Sequence, residues 1–144
     1  MKVTFLNFRN EALERQAGIA FESAKSLLPS WVCEVIIQMM PVEKEDDDCI
    51  QIFMRPEYRF IRVEIFPRFF SDDAKDQAEY MSHEMMHAVL GPLTKFVDDV
   101  LISPVEEKNP ELFKVLSSNH RTITESVIQE WVYAHAHWVQ GEDD

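Results

Sequence analysis

The 144-residue chain has little glycine, little cysteine and little positive charge. It holds three glycines and two cysteines, and its 14 lysines and arginines face 26 aspartates and glutamates, a formal net charge of −12. The shortage of basic groups argues against nucleic acid as a partner, because phosphates need a basic surface. An anionic membrane surface is disfavoured for the same reason. No apolar run approaches the roughly 20 residues of a membrane-spanning helix. Residues 1–10 lack the basic start and long apolar stretch of a secretory signal. Cys33 and Cys49 are too few for a disulfide framework and too far apart for a CxxC pair. They read as reduced core residues of a cytoplasmic protein rather than as a bridge between strands.

What is present is enough apolar side chain, 46%, to build a globular core. The length suits a single domain over residues 1–144, with 141–144 as a frayed tail. The excess of carboxylates invites a cation. Its densest run, residues 43–48, reads as a solvated turn, because it lacks the glycine and the distant glutamate of an EF-hand loop.

Hydrophobic spacing organises the rest. Leu13, Ala17, Ala20, Phe21, Ala24 and Leu28 recur at helical intervals up to Pro29. Residues 31–40, 49–55 and 58–66 are strand candidates. The last of these mixes Arg62 and Glu64 with Ile61, Val63 and Ile65, which suits a strand near a sheet edge. A helix is expected over residues 72–90, capped by Ser71 or Asp72 and stopped by Gly91-Pro92. A short amphipathic helix over 93–102 would use Phe96, Val97, Val100 and Leu101. Ser103-Pro104 and Asn109-Pro110 read as N-caps followed by a first-turn proline. A final helix is expected over 122–139, its apolar face built from Ile123, Val127, Ile128, Trp131, Val132 and Trp138. The expected class is α+β: a helix, a small mixed or antiparallel sheet, then helices.

The chemistry-bearing motif is His83-Glu84-Met85-Met86-His87, an HExxH sequence. Residues four apart lie one turn above each other on a helix, so two imidazoles can bind one ion. The adjacent glutamate then stands where it can take a proton from water at the open metal position. A shuffled chain of this composition holds the pattern in about 2% of cases, so chance alone is a poor account. On a helical wheel the apolar stripe of Ala74, Ala78, Met81, Met85, Ala88 and Val89 opposes His83 and His87, which fall at about 180° and 220° from Ala74. Met86 and Leu90 flank the histidines, which favours partial burial over a bare surface pair.

The motif, on a helix after a small sheet, resembles the zincin metallopeptidases. The metzincin branch requires glycine and histidine where this chain has Leu90 and Leu93, so it does not fit. The chain is most similar to the short single-domain gluzincin-like peptidases of prokaryotes and phages, over residues 31–139. That resemblance implies Zn2+ as cofactor, a peptide or protein substrate, His83 and His87 as ligands, Glu84 as general base, and a glutamate from a later helix as third ligand. Glu125, in Ile-Thr-Glu-Ser-Val-Ile, is the residue it points to. Glu125 also completes a capping box with Thr122. Glu130, Glu106, Glu107, Asp98, Asp99 and His120 remain alternatives. Tyr80, Tyr133, His135 and His137 are candidate oxyanion donors, each with a stronger structural or solvent reading. A substrate strand would pair with the edge expected at residues 58–66. A metal-binding interaction module without turnover is the competing reading. The intact Glu84 separates the two, since a purely structural site does not need it.

Overall fold

The computed structural model describes residues 1–140, with side chains through residue 135. The roles expected of His137, Trp138, Val139 and the 141–144 tail lie outside the described residues. The chain is mixed α+β and forms two compact units, Met1–Val89 and Leu90–Asp144. Among the described residues no helix is long and apolar enough to cross a membrane.

The first unit opens with β1 (Lys2–Leu6), a strand not anticipated from the sequence. Helix α1 (Glu11–Ala24) follows, capped by Asn10, whose side chain accepts from the Leu13 N–H at 3.0 Å. Ala17, Ala20, Phe21 and Ala24 are buried, as their spacing requires. The helix acts as the crossover that parallel pairing demands, because β2 (Glu34–Met39) runs parallel to β1. β3 (Ile50–Arg55) and β4 (Phe60–Ile65) complete a four-stranded sheet in the order β1-β2-β4-β3. β4 pairs parallel with β2 and antiparallel with β3.

β4 is therefore interior, and the edge expected at residues 58–66 lies instead at β3. The charges that suggested an edge are accommodated on one face. Glu64 is buried, accepts from the Gln51 amide at 2.6 Å and lies 3.1 Å from Arg62. Arg62 also stacks over the Phe53 ring, 4.9 Å from its centroid. The other face carries Val35, Ile37, Ile61, Val63 and Ile65, all fully buried against Phe21, Phe69, Met81 and Met85. The β3–β4 turn places Arg59 in the left-handed region at φ 54°. Its guanidinium donates to the carbonyls of Trp31 (3.0 Å) and Ser30 (3.3 Å), which offsets the cost of that conformation. Cys49 is partly buried at the core, but Cys33 is exposed, because it precedes β2 instead of lying within it.

Helix α2 (Ala74–Phe96) carries the HExxH motif and runs through Gly91-Pro92 instead of stopping there. The clash that normally keeps the residue before proline out of the helical region involves its Cβ, and Gly91 has none. The N-cap is Asp73, whose carboxylate accepts from the Asp76 N–H at 2.9 Å, one residue later than expected. A π-helical turn, Val97–Ile102, follows directly in place of a separate amphipathic helix. Ile102 is buried there, whereas Phe96, Val100 and Leu101 are exposed. In the second unit Ser103 makes no side-chain cap, since Ser103–Val105 forms only a short 3-10 turn after Ile102. Asn109 does cap α3 (Pro110–Gln140), accepting from the Leu112 N–H at 3.1 Å. The helix start expected at Thr122 is thus in mid-helix. Ile128 and Val132 are buried, but Ile123, Val127 and Trp131 are exposed.

Candidate metal centre

The motif helix is fixed first at its N-terminal end. Gln77 is buried, and its amide donates to the carbonyls of Asp72 (2.9 Å) and Phe69 (3.2 Å), tying the first turn to the segment before it. Tyr80 donates to the Asp72 carboxylate at 3.2 Å and packs near Phe69, with ring centroids 6.4 Å apart. Burial, reinforced by Asp72, pushes the Tyr80 phenol up to about 12. Tyr80 thus has a structural partner. Beside it, burial also pushes the Cys49 thiol up to about 11, with the Asp72 charge adding to the effect.

One turn further on, Met81, Met85 and Ala88 enter the core with no exposed surface. Their placement sets the rotation of the helix and puts His83 and His87 on its opposite side. The two imidazole centroids are 5.1 Å apart, edge to face. Both histidines are half-buried, Glu84 is only 8% exposed, and no residue from 81 to 88 is exposed. The motif is therefore not a bare surface pair.

One ligand atom each from His83, Glu84 and His87 lies within 4.8 Å of the other two. Two nitrogens each about 2.1 Å from one zinc ion are at most about 4.2 Å apart, so small side-chain rotations bring the imidazoles to ligand distance. The donors fit as well as the distances: neutral imidazole nitrogens suit zinc, and the carboxylate is close enough to act as a ligand or as a base toward water on the ion.

The remaining candidates lie in the second unit. Glu125 is half-buried on α3, well inside the helix. Its capping-box reading fails, because Thr122 precedes no helix start. Glu130, Glu106 and Glu107 are exposed. Asp99 pairs with Lys95 at 3.1 Å, and Asp98 lies 3.6 Å from the His120 Nε2. Those two aspartates and His120 are thus engaged within the unit. Tyr133 is exposed and His135 half-buried. The described cluster consists of the three motif residues, and sequence spacing alone was enough to find them. Comparison with protein-family models, with curated proteins and with solved structures finds no match.

Proposed function

We infer that the chain is a zinc-dependent peptidase of the gluzincin-like kind, with His83 and His87 holding the ion and Glu84 as general base. The observation that carries this reading is the convergence of those three side chains on a helix side with no exposed residue from 81 to 88. Zinc, when bound, supplies the charge that lowers the pKa of water toward neutrality. Glu84 accepts the proton released and delivers it to the leaving amine nitrogen. Its burial limits competing water and strengthens its interaction with the positive centre. Glu125 is the third ligand in this reading, on the strength of the sequence resemblance and of the three protein ligands usual at catalytic zinc. An extended peptide substrate can pair with β3, which among the described residues is an edge strand bonded only to β4. Two free thiols suit a reducing, cytoplasmic setting.

The test combines metal analysis with turnover of a quenched peptide library. The protein is expected to hold one zinc per chain. Glu84→Gln keeps that zinc and loses hydrolysis. Full activity in Glu84→Gln removes Glu84 as base, and loss of zinc moves it into the ligand set. Less than ~0.2 zinc per chain in protein purified without chelator overturns the metal site itself. Glu125→Ala weakens zinc binding at least ~10-fold while Glu130→Ala does not; the reverse result transfers the ligand role to Glu130.

A further inference from the structure

We propose that the β1 edge and the overhanging side of α1 form a docking groove for an extended, basic segment of a partner protein, separate from the histidine cluster. Among the described residues β1 is the second edge strand of the sheet, paired only with β2. The Lys2 N–H bonds inward to the Cys33 carbonyl at 2.8 Å. By strand alternation, the N–H and C=O groups of Val3 and Phe5 then face away from β2, open to an added strand. Lys2 is the one charged residue of this edge, and no proline blunts it.

The groove beside this edge has a volume of about 750 Å3. Val3, Phe5 and Gly18 line its apolar part. Ile19 stands over it with 60% of its surface exposed and adds apolar surface to the rim. Gly18 is the informative residue. Glycine weakens a helix interior, and its missing Cβ lets another backbone come close. A Cβ at Gly18 would meet the Phe5 ring at 3.7 Å, an ordinary contact. The protein's own packing therefore tolerates a side chain, and the glycine instead leaves room for an incoming backbone.

Charge selects the occupant. Glu11, Glu14 and Glu22 line the groove with Arg15, and Glu22 also pairs with Lys25 at 2.6 Å, an exposed contact that an incoming cation can replace at little cost. Glu11 and Glu22 are about 16 Å apart along the helix axis. Two side chains four residues apart on a strand are separated by about 13 Å, within reach of both carboxylates for long basic residues. The net charge of −12 steers cationic partners in and repels a second copy of the chain.

The probe is a blocked seven-residue peptide, Thr-Lys-Thr-Val-Thr-Lys-Thr, whose lysines and valine point to one side when extended. Titration should shift the amide resonances of Val3 and Phe5. Gly18→Ala should raise the thermal midpoint of the free protein yet weaken peptide binding at least ~5-fold. The paired change Glu11→Gln and Glu14→Gln should weaken it and flatten its salt dependence. The glutamate-for-lysine peptide and the fully N-methylated peptide should not bind. The proposal is overturned by absence of shifts at millimolar peptide, by shifts confined to Ile50–Arg55, or by equal binding to Gly18→Ala. A concentration-dependent dimer of the chain alone, abolished by Gly18→Ala, would assign the edge to a second copy and overturn it as well.

Discussion

Cys49 and Tyr80 flank Asp72 beside the start of the motif helix, and their chemistry makes the environment of that helix measurable. Both are neutral when protonated, and burial raises both, the Cys49 thiol to about 11 and the Tyr80 phenol to about 12. The native state therefore holds these protons more tightly than the unfolded chain. The resulting stability is complete below pH 9 and is lost as pH climbs toward 11 and 12. Thermal midpoints are expected to fall steadily above pH 9, and a flat profile to pH 11 would mean that neither group is buried in solution. Thiol labelling gives a second check. At pH 8 only about one Cys49 side chain in a thousand is thiolate, so the exposed Cys33 should react first, and Cys49 only on unfolding or at much higher pH. Residue-scale features were unevenly legible in the sequence. The His83–His87 pair was readable because its geometry is set by one turn of one helix. A third ligand for the proposed site was not readable, because nothing local to Glu125 or Glu130 ties either to a residue some forty positions away.

Element boundaries show how local signals compete. The strands β2, β3 and β4 and helix α1 follow from hydrophobic spacing, since each buries one regular face. β1 went unread because five residues are few, and only Val3 and Phe5 carry its pattern. The order of the strands was hidden for a different reason. Arg62 and Glu64 look like edge residues until their partners, Phe53 and Gln51, are known to sit across from them. Gly91-Pro92 misled because the same glycine that ends many helices also permits a proline inside one. Two predictions belong at this scale. Pro92 has no N–H to give to the Ala88 carbonyl, and its ring is exposed, so Pro92→Ala should stabilise the protein by about 1–3 kcal/mol in urea unfolding. A loss of stability instead would mean that the proline ring contributes packing that its exposure does not suggest. Asp73→Ala should cost about 1 kcal/mol by removing the α2 N-cap, while Ser71→Ala should leave stability within about 0.5 kcal/mol. Equal losses would return the cap to the earlier position.

For the whole molecule, the question is where a cation goes on a chain of net charge −12. The acidic turn at residues 43–48 is the obvious attraction, but it already contains its own counterion. Lys44 lies 2.9 Å from both Asp46 and Asp48, and hydrogen bonds to those carboxylates hold its ammonium above its usual value. Arg68 pairs with Asp47 at 3.0 Å. These pairs are exposed in whole or in part and contribute little to stability, yet they reduce the charge available to an ion. The histidine pair differs in kind: half-buried, with nitrogen donors and a buried carboxylate alongside. An ion that binds only the folded state stabilises it by about 2.7 kcal/mol at a hundredfold excess over Kd, a shift of about 5–10 °C for a chain of this size. Calorimetry should therefore show zinc raising the thermal midpoint by that amount over chelator-treated protein, and His83→Ala should abolish the rise. Calcium at the same concentration should leave the midpoint within about 1 °C, because a hard cation prefers oxygen ligands and the three aspartates of the 43–48 turn are already paired with Lys44 and Arg68. If calcium matched zinc and His83→Ala made no difference, the acidic surface would be the cation site and the HExxH sequence only a pair of histidines on a packed helix.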